Sequence, residues 1–413
     1  MVPLLQTTAY ETASTTMQVE AEYTMDSIPL TRPTVGRLEY HAVRRVLKSG
    51  WLTQGPEVEA LEHEFAQFVG ASGACAVSSA TTALHLALRA LDIGPGQEVI
   101  VPSHTFIATV HAILYCGAVP RFIDIDENTY CLEPDLLESL ITPRTACILL
   151  VHQMGFTPNL EKVLATAEKY NLPVVEDAAC ALGTEYYWRG TWTKIGKPHG
   201  LIACFSFHPR KVITSGEGGI VTSQDVQILE RIRRLRQHGI KQVVTPHNRF
   251  ANHYTPIVEE LGYNYRLSDV AAAILRCQLQ RLPALVRRRR LLASVYDQAF
   301  TTLPGCRIVK PHPNSRPNYQ SYPLRIEPDA RISRDELLST LAKHSIEARP
   351  GVMNVHEVAP YVTCETTDLT RSERANRNSI LLPLYPAMRP SHQRRVIRVI
   401  QSSICGVELP CTN

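Results

Sequence analysis

The sequence predicts an α/β protein: a large unit built on a mostly parallel sheet, followed by a smaller C-terminal α/β unit. Two observations carry this. From about residue 40, short and continuously apolar runs alternate with amphipathic helical patterns, as in "ACAVSSATTALHLALRALDIGPG", "EVIVPSHTFIATVHAILYCGAVPRFIDID", "RTACILLVHQMG" and "LATAEKYNLPVVEDAACALG". Strands that are apolar at every position are covered on both faces, as parallel sheets require. The chain of 413 residues is also too long for one small core, and its 44% hydrophobic and 20% charged residues are those of a soluble globular protein.

The elements follow in order. Residues 1–27, "MVPLLQTTAYETASTTMQVEAEYTMDS", lack the cationic start and long apolar core of a secretory signal, and are expected to form an N-terminal extension. "EVEALEHEFAQFVG" sets Val58, Leu61, Phe65 and Phe68 at helical spacing and stops at Gly70. After "AAAILRCQLQRLPAL" a long helix leaves the large unit, which places the division between 28–285 and 286–413. In the smaller part "SYPLRI" is expected as a strand, and "SRDELLSTLAKHS" and "SHQRRVIRVIQSSI" as helices. The run "RRRR" at 287–290 sits in an apolar-periodic stretch and is expected on the wet face of a helix.

Composition narrows the partners. A formal net charge of +4 is too slight for a nucleic-acid binder, and no stretch is long and apolar enough to cross a membrane. Eleven scattered cysteines without a CxxC pair suggest reduced thiols in a cytoplasmic protein, not a zinc site or disulfide framework.

The chemistry gathers where apolar strands end, since ligands of open parallel sheets collect at their carboxyl ends. "ACFSFHPRKVITSGEGG" places Lys211 between an aromatic stretch and a glycine-rich turn. An amine that does chemistry needs such a setting, because desolvation favours its nucleophilic free base; an exposed lysine after a strand is the plainer account. "LPVVED" ends a strand with Glu176 and Asp177, and a carboxylate is costly to bury unless a cation meets it, although a helix N-cap would also explain it. "VSSATTAL" puts Ala80 and Thr81 at a helix start, where free N–H groups suit a phosphate, although helix capping alone would also explain the stretch. Pyridoxal 5'-phosphate needs an amine, a carboxylate beside its pyridine nitrogen, an anion cradle and a flat apolar wall. Lys211, Asp177, Ala80 and Thr81 with Ser206, and Phe106 in "PSHTFIAT" supply that set.

With these residues the chain resembles the DegT/DnrJ/EryC1/StrS family of sugar aminotransferases, of fold type I among pyridoxal-phosphate enzymes. "SGWLTQGPEVEALE", "SSATTALHLAL", "VPSHTFIAT", "VHQMGFTPNL", "VVEDAACALG", "FSFHPRKVITSGEGG" and "LGYNYRLSDVAAAILRCQL" occur in the family's order. The resemblance implies a seven-stranded-type sheet in the large domain and a smaller C-terminal domain. It implies that Lys211 carries the cofactor, that Asp177 pairs with the pyridinium, and that Ala80, Thr81 and Ser206 hold the phosphate while Phe106 stacks on the ring. Asn264, in "GYNYR", would reach the cofactor phosphate of a neighbouring subunit, so a homodimer with shared active sites is expected. Ala80 replaces a frequent glycine, and Cys180 stands where many members have Gln or His, which leaves Cys180 a poorer contact to the cofactor's 3-hydroxyl side.

The implied reaction passes an amino group from an amino acid, usually glutamate, to a keto sugar, mostly nucleotide-linked; a cyclitol or other natural-product ketone is the alternative. His208, Arg210, Arg349 and His356 are candidate substrate contacts. A pyridoxal-phosphate-binding regulator is a remote third possibility, opposed by the presence of both Lys211 and Asp177.

Overall fold

The structure, a computed structural model, describes residues 27–241, 256–359 and 368–407. Nearly all of the expected N-terminal extension, residues 1–26, lies outside them. In chain order the first strands are β1 (Gly73–Val77), β2 (Glu98–Pro102), β3 (Val119–Ile123), β4 (Thr145–Val151) and β5 (Val174–Asp177). A hairpin of β6 (Glu185–Trp188) and β7 (Thr191–Lys194) precedes β8 (Ile202–Ser206) and β9 (Gly219–Ser223). The pair β10 (Ile240–Lys241) and β11 (Ile257–Val258) follows, then β12 (Cys306–Ile308), β13 (Ser315–Arg316), β14 (Tyr322–Ile326), β15 (Arg349–Pro350) and β16 (Ser379–Leu382). The helices used below are α1 (Arg37–Ser49), α2 (Pro56–Val69), α3 (Ala80–Ala90), α4 (Ile107–Tyr115), α5 (Leu137–Leu140), α6 (Leu160–Lys169), α7 (Val226–Arg236), α8 (Asp269–Phe300), α9 (Arg334–Lys343), α10 (Thr370–Asn378) and α11 (Pro390–Cys405).

Seven strands form the main sheet in the order β1-β9-β8-β5-β4-β2-β3. Every neighbouring pair from β8 to β3 is parallel, and β9 alone runs against its neighbours β1 and β8. One face packs its even-numbered β4 residues, Ile148 and Leu150, with α2 and α8 through Phe65, Leu275 and Leu282. The other packs Leu149 and Val151 with α3, α4 and α7 through Leu84, Val110 and Ile232. Phe205 and Phe207 are fully buried, each meeting the Phe65 ring edge-on. α2 has the expected stop at Gly70, whose φ of 84° is the left-handed cap that glycine favours. Its start is capped from far along the chain: Asp269 accepts from the N–H groups of Gly55, Glu57 and Val58.

A second sheet, β12-β14-β16-β15, packs with α9, α11 and the end of α8 around Tyr296, Leu324, Leu341 and Val399. Ile28 joins this core: its N–H donates to Ser345 O, and its carbonyl accepts from Glu347. Because α8 runs unbroken through residue 286, both cores share one 32-residue helix.

The arginine run departs from expectation. Arg289 is buried, at 2% exposure, and donates to the carbonyls of Tyr319 and Gln320. Four consecutive helical residues sweep about 300° around the axis, so one of them must face inward. Burial without a carboxylate partner lowers its guanidinium to about 10.

Candidate active site

The carboxyl ends of β4, β5 and β8, the loop after β2 and the start of α3 converge on a cavity of about 600 Å³. Its opposite wall comes from the second sheet, at Arg349–Met353 and Leu381–Leu384, with Gln320 beside them.

Asp177 ends β5 and is 6% exposed. Its Oδ2 accepts from Thr109 Oγ1 at 2.8 Å and its Oδ1 from the Ala179 N–H at 3.1 Å. Burial pushes its carboxyl above the ordinary value, although these two hydrogen bonds and the charge of Lys211 oppose the shift. Among the described residues none forms an ion pair with it. A buried carboxylate in this state is short of a cation, which a pyridinium would supply.

Lys211 follows the turn after β8 and points its Nζ at Cys180 Sγ, 3.1 Å away. Asn318 ties that neighbourhood down, donating to the carbonyls of Cys180 and Leu182 at 2.9 Å each. Gln320 donates to Arg210 O at 2.8 Å, joining the Lys211 loop to the approach to β14. Burial lowers the His208 imidazole below its ordinary value; Arg210 and Lys211 add to the shift and Glu217 opposes it.

Ala80 and Thr81 open α3, and Ser79 caps it by accepting from Thr82 N. The first N–H groups of a helix have no partner within it and attract an anion. β9 lies tight against this start: a Cβ on Gly219 would sit 2.4 Å from Ser79 O. Ser206 ends β8 on the same cavity, and Phe106 caps α4 with 56% of its surface exposed where it lines the wall.

Lys211, Asp177, Ala80, Thr81, Phe106, Ser206, Cys180, His208, Arg210 and Arg349 thus share one cavity. Two of the expected residues do not line it. Asn264 is exposed, pairs with Gln237 and accepts from Arg266 Nε at 3.3 Å. His356 meets Ser103 Oγ through Nδ1 at 2.6 Å and sits outside the lining.

Two residues escaped the sequence: Thr109, and His152 as the partner of Glu176. Thr109 lies one helical turn after Phe106, and that spacing was the available signal. His152 and Glu176 form a fully buried pair, Nε2 to Oε2 at 2.8 Å, while Glu176 Oε1 accepts from the N–H groups of His199 and Gly200. Burial raises the Glu176 carboxyl, but His152 and the other partners outweigh it and hold it below the ordinary value. The costly carboxylate of "LPVVED" is therefore met by a histidine from the adjacent strand end.

A buried carboxyl lacking a cation, an amine close by, a helix start for an anion and an exposed ring fit pyridoxal phosphate. On a mostly parallel sheet they define the class: a fold type I aminotransferase that uses this cofactor. The chain belongs to the DegT/DnrJ/EryC1/StrS aminotransferase family, whose model matches residues 33–401. Solved structures agree. The aminotransferase DesV of S. venezuelae, in complex with a ketimine intermediate, is 33% identical with a TM-score of 0.81, covering 93% of this chain and 100% of its own. The aminotransferase TlmJ of Streptoalloteichus hindustanus is 30% identical with a TM-score of 0.84, over 92% and 99%. The putative sugar aminotransferase Spr1654 of Streptococcus pneumoniae, in its PLP form, is 25% identical with a TM-score of 0.85, over 93% and 100%.

Proposed function

We propose that this aminotransferase moves an amino group from an amino acid, L-glutamate first among donors, to the ketone of a nucleotide-linked sugar. The observation that carries the acceptor is the charge of the cavity wall: among the described residues His208, Arg210 and Arg349 line a space with Glu217 as its one outer carboxylate, and Arg349 pairs with Glu347 behind the lining at 3.0 Å. Guanidinium groups there suit a diphosphate and a donor carboxylate. The description of Spr1654 as a putative sugar aminotransferase supports the sugar.

Bound pyridoxal phosphate supplies an aldehyde that links to an amine and a pyridinium that accepts an electron pair from a breaking Cα–H bond. Asp177 would meet the positive charge of that ring with its own carboxylate, the α3 start and Ser206 would hold the phosphate, and Phe106 would offer its exposed ring as an apolar wall. Lys211 would hold the cofactor through Nζ and, as a free amine beside it, would take up and return a proton at the donor's Cα. Cys180 is the neighbour that holds Nζ at 3.1 Å when it is free.

Asn264 is exposed and outside its own chain's cavity, which supports a homodimer in which it serves the partner's cofactor phosphate. Division into domains 28–285 and 286–413, with a cytoplasmic setting, belongs to the same proposal. The test is the absorption of the cofactor-loaded protein as L-glutamate and then nucleotide-linked keto sugars are added. Bleaching of the visible band by glutamate and its return with a keto sugar support the proposal. Bleaching with return only on cyclitol or other ketones overturns the acceptor, and no response to any amino acid overturns the donor half.

A further inference from the structure

His356 takes no part in the cavity, yet its surroundings are constructed around a free nitrogen. The side chain is 10% exposed, and Nε2 is buried without a hydrogen bond. Glu373 Oε1 stands 3.6 Å from it, and Glu357 completes a group whose ligand atoms all lie within 4.8 Å of one another. A separation of 3.6 Å is long for a hydrogen bond. Two ligands about 2.0–2.1 Å from one tetrahedral ion lie roughly 3.4 Å apart, so His356 and Glu373 are spaced close to atoms sharing a cation, and Glu357, which is exposed, would turn its carboxylate inward to join them.

The remaining polar atoms are engaged in ways that aim these inward. His356 Nδ1 meets Ser103 Oγ at 2.6 Å; with Nδ1–H donating there, Nε2 carries the lone pair. Asn354 Nδ2 donates to Glu357 Oε2 at 2.9 Å. Arg377 donates to Glu373 Oε2 at 3.1 Å and stands 3.8 Å from Glu357 Oε1. Such outer partners fix the tautomer and orientation of metal ligands. The Arg377 side chain is 67% exposed and can swing aside. With its charge counted, two carboxylates still leave the cluster net negative.

We propose that His356, Glu357 and Glu373 bind a divalent cation of borderline softness, Zn²⁺ or Co²⁺, with water completing the shell. The site is separate from the reaction cavity. It ties the segment after Arg349–Met353, which lines the cavity, to α10, which carries Glu373. The cation acts as a brace for the acceptor wall and takes no part in the chemistry.

The test is equilibrium dialysis of chelator-treated holoenzyme against micromolar Zn²⁺, without amino acid, followed by metal analysis and melting curves. One Zn²⁺ per chain and a raised Tm are expected. Glu373→Gln, a near-isosteric change at a half-buried side chain, should leave the fold intact and weaken binding on the order of a hundredfold. His356→Asn should do the same, while both variants keep the glutamate-driven colour change. No binding by the unaltered protein, or equal binding by Glu373→Gln, overturns the proposal; the latter would place the metal elsewhere, as at the exposed Cys405.

Discussion

Replacing Asp177 by Asn isolates one charge. The amide keeps the local geometry: its Oδ1 can still accept from Ala179, and Thr109 can turn its hydroxyl to Thr105 Oγ1, 2.8 Å away, while accepting from the new Nδ2. What disappears is the anion that faces the pyridinium at a buried position. Removing one member of a buried ion pair costs about 3–5 kcal/mol, which corresponds to roughly a hundred- to several-thousandfold in rate. The glutamate half-reaction, followed by loss of the visible band, should slow by that amount. Stability without cofactor should move the other way. Burial raises the Asp177 carboxyl, so its contribution to folding is complete below the unfolded value of about 4 and is lost as pH rises through the folded one. At neutral pH the cofactor-free Asn variant should therefore melt no lower than the parent. A half-reaction within threefold of the parent, or a clearly lower melting point for the cofactor-free variant, would refute the argument.

Other outcomes follow from neighbouring contacts. Gly219→Ala would press a methyl against Ser79 O and shift the start of α3; a loss of about 1–3 kcal/mol in stability and weaker cofactor retention on dialysis are expected. Lys211→Ala should abolish multiple turnover and leave the melting profile of the cofactor-free protein unchanged within experimental spread. Alkylation of Cys180 should be fast in the cofactor-free protein, block reloading, and be absent from a Cys180→Ser variant that retains colour; peptide mapping by mass spectrometry reads all three. Mixing equal amounts of Lys211→Ala and Asn264→Ala chains should restore roughly a quarter of the parent's activity if the partner's cofactor is Asn264's target, since about half of the dimers are hybrids with one complete site each, and none if Asn264 serves its own cavity.

The strand ends were legible because each closes a continuously apolar run. Asp177 and Ser206 could be placed from "LPVVED" and "ACFSF" alone, and α9 from its Ser333 cap and apolar spacing. The family resemblance supplied the roles. Hidden were the facts that depend on which strands lie side by side. β9 looks like any other apolar run, and nothing local reveals that it runs against β1 and β8. His152 and Glu176 are 24 residues apart and meet because β4 neighbours β5 in register, Val151 opposite Asp177. Arg289 departs from the wet face expected of its run because a helix distributes consecutive residues around its whole circumference.

α8 spans about 48 Å at 1.5 Å per residue and turns about 100° with each one. It is at once the floor of the main sheet, through Leu275 and Leu282, and a wall of the second core, through Tyr296 and Phe300. A single residue inserted between those two stretches would swing the second sheet by more than a quarter turn and carry Arg349 away from Lys211. The length of this helix is therefore a gauge that sets the width of the reaction cleft. A surface loop can lengthen at small cost, whereas α8 would keep both packing faces only if it changed by about whole turns matched on both sides.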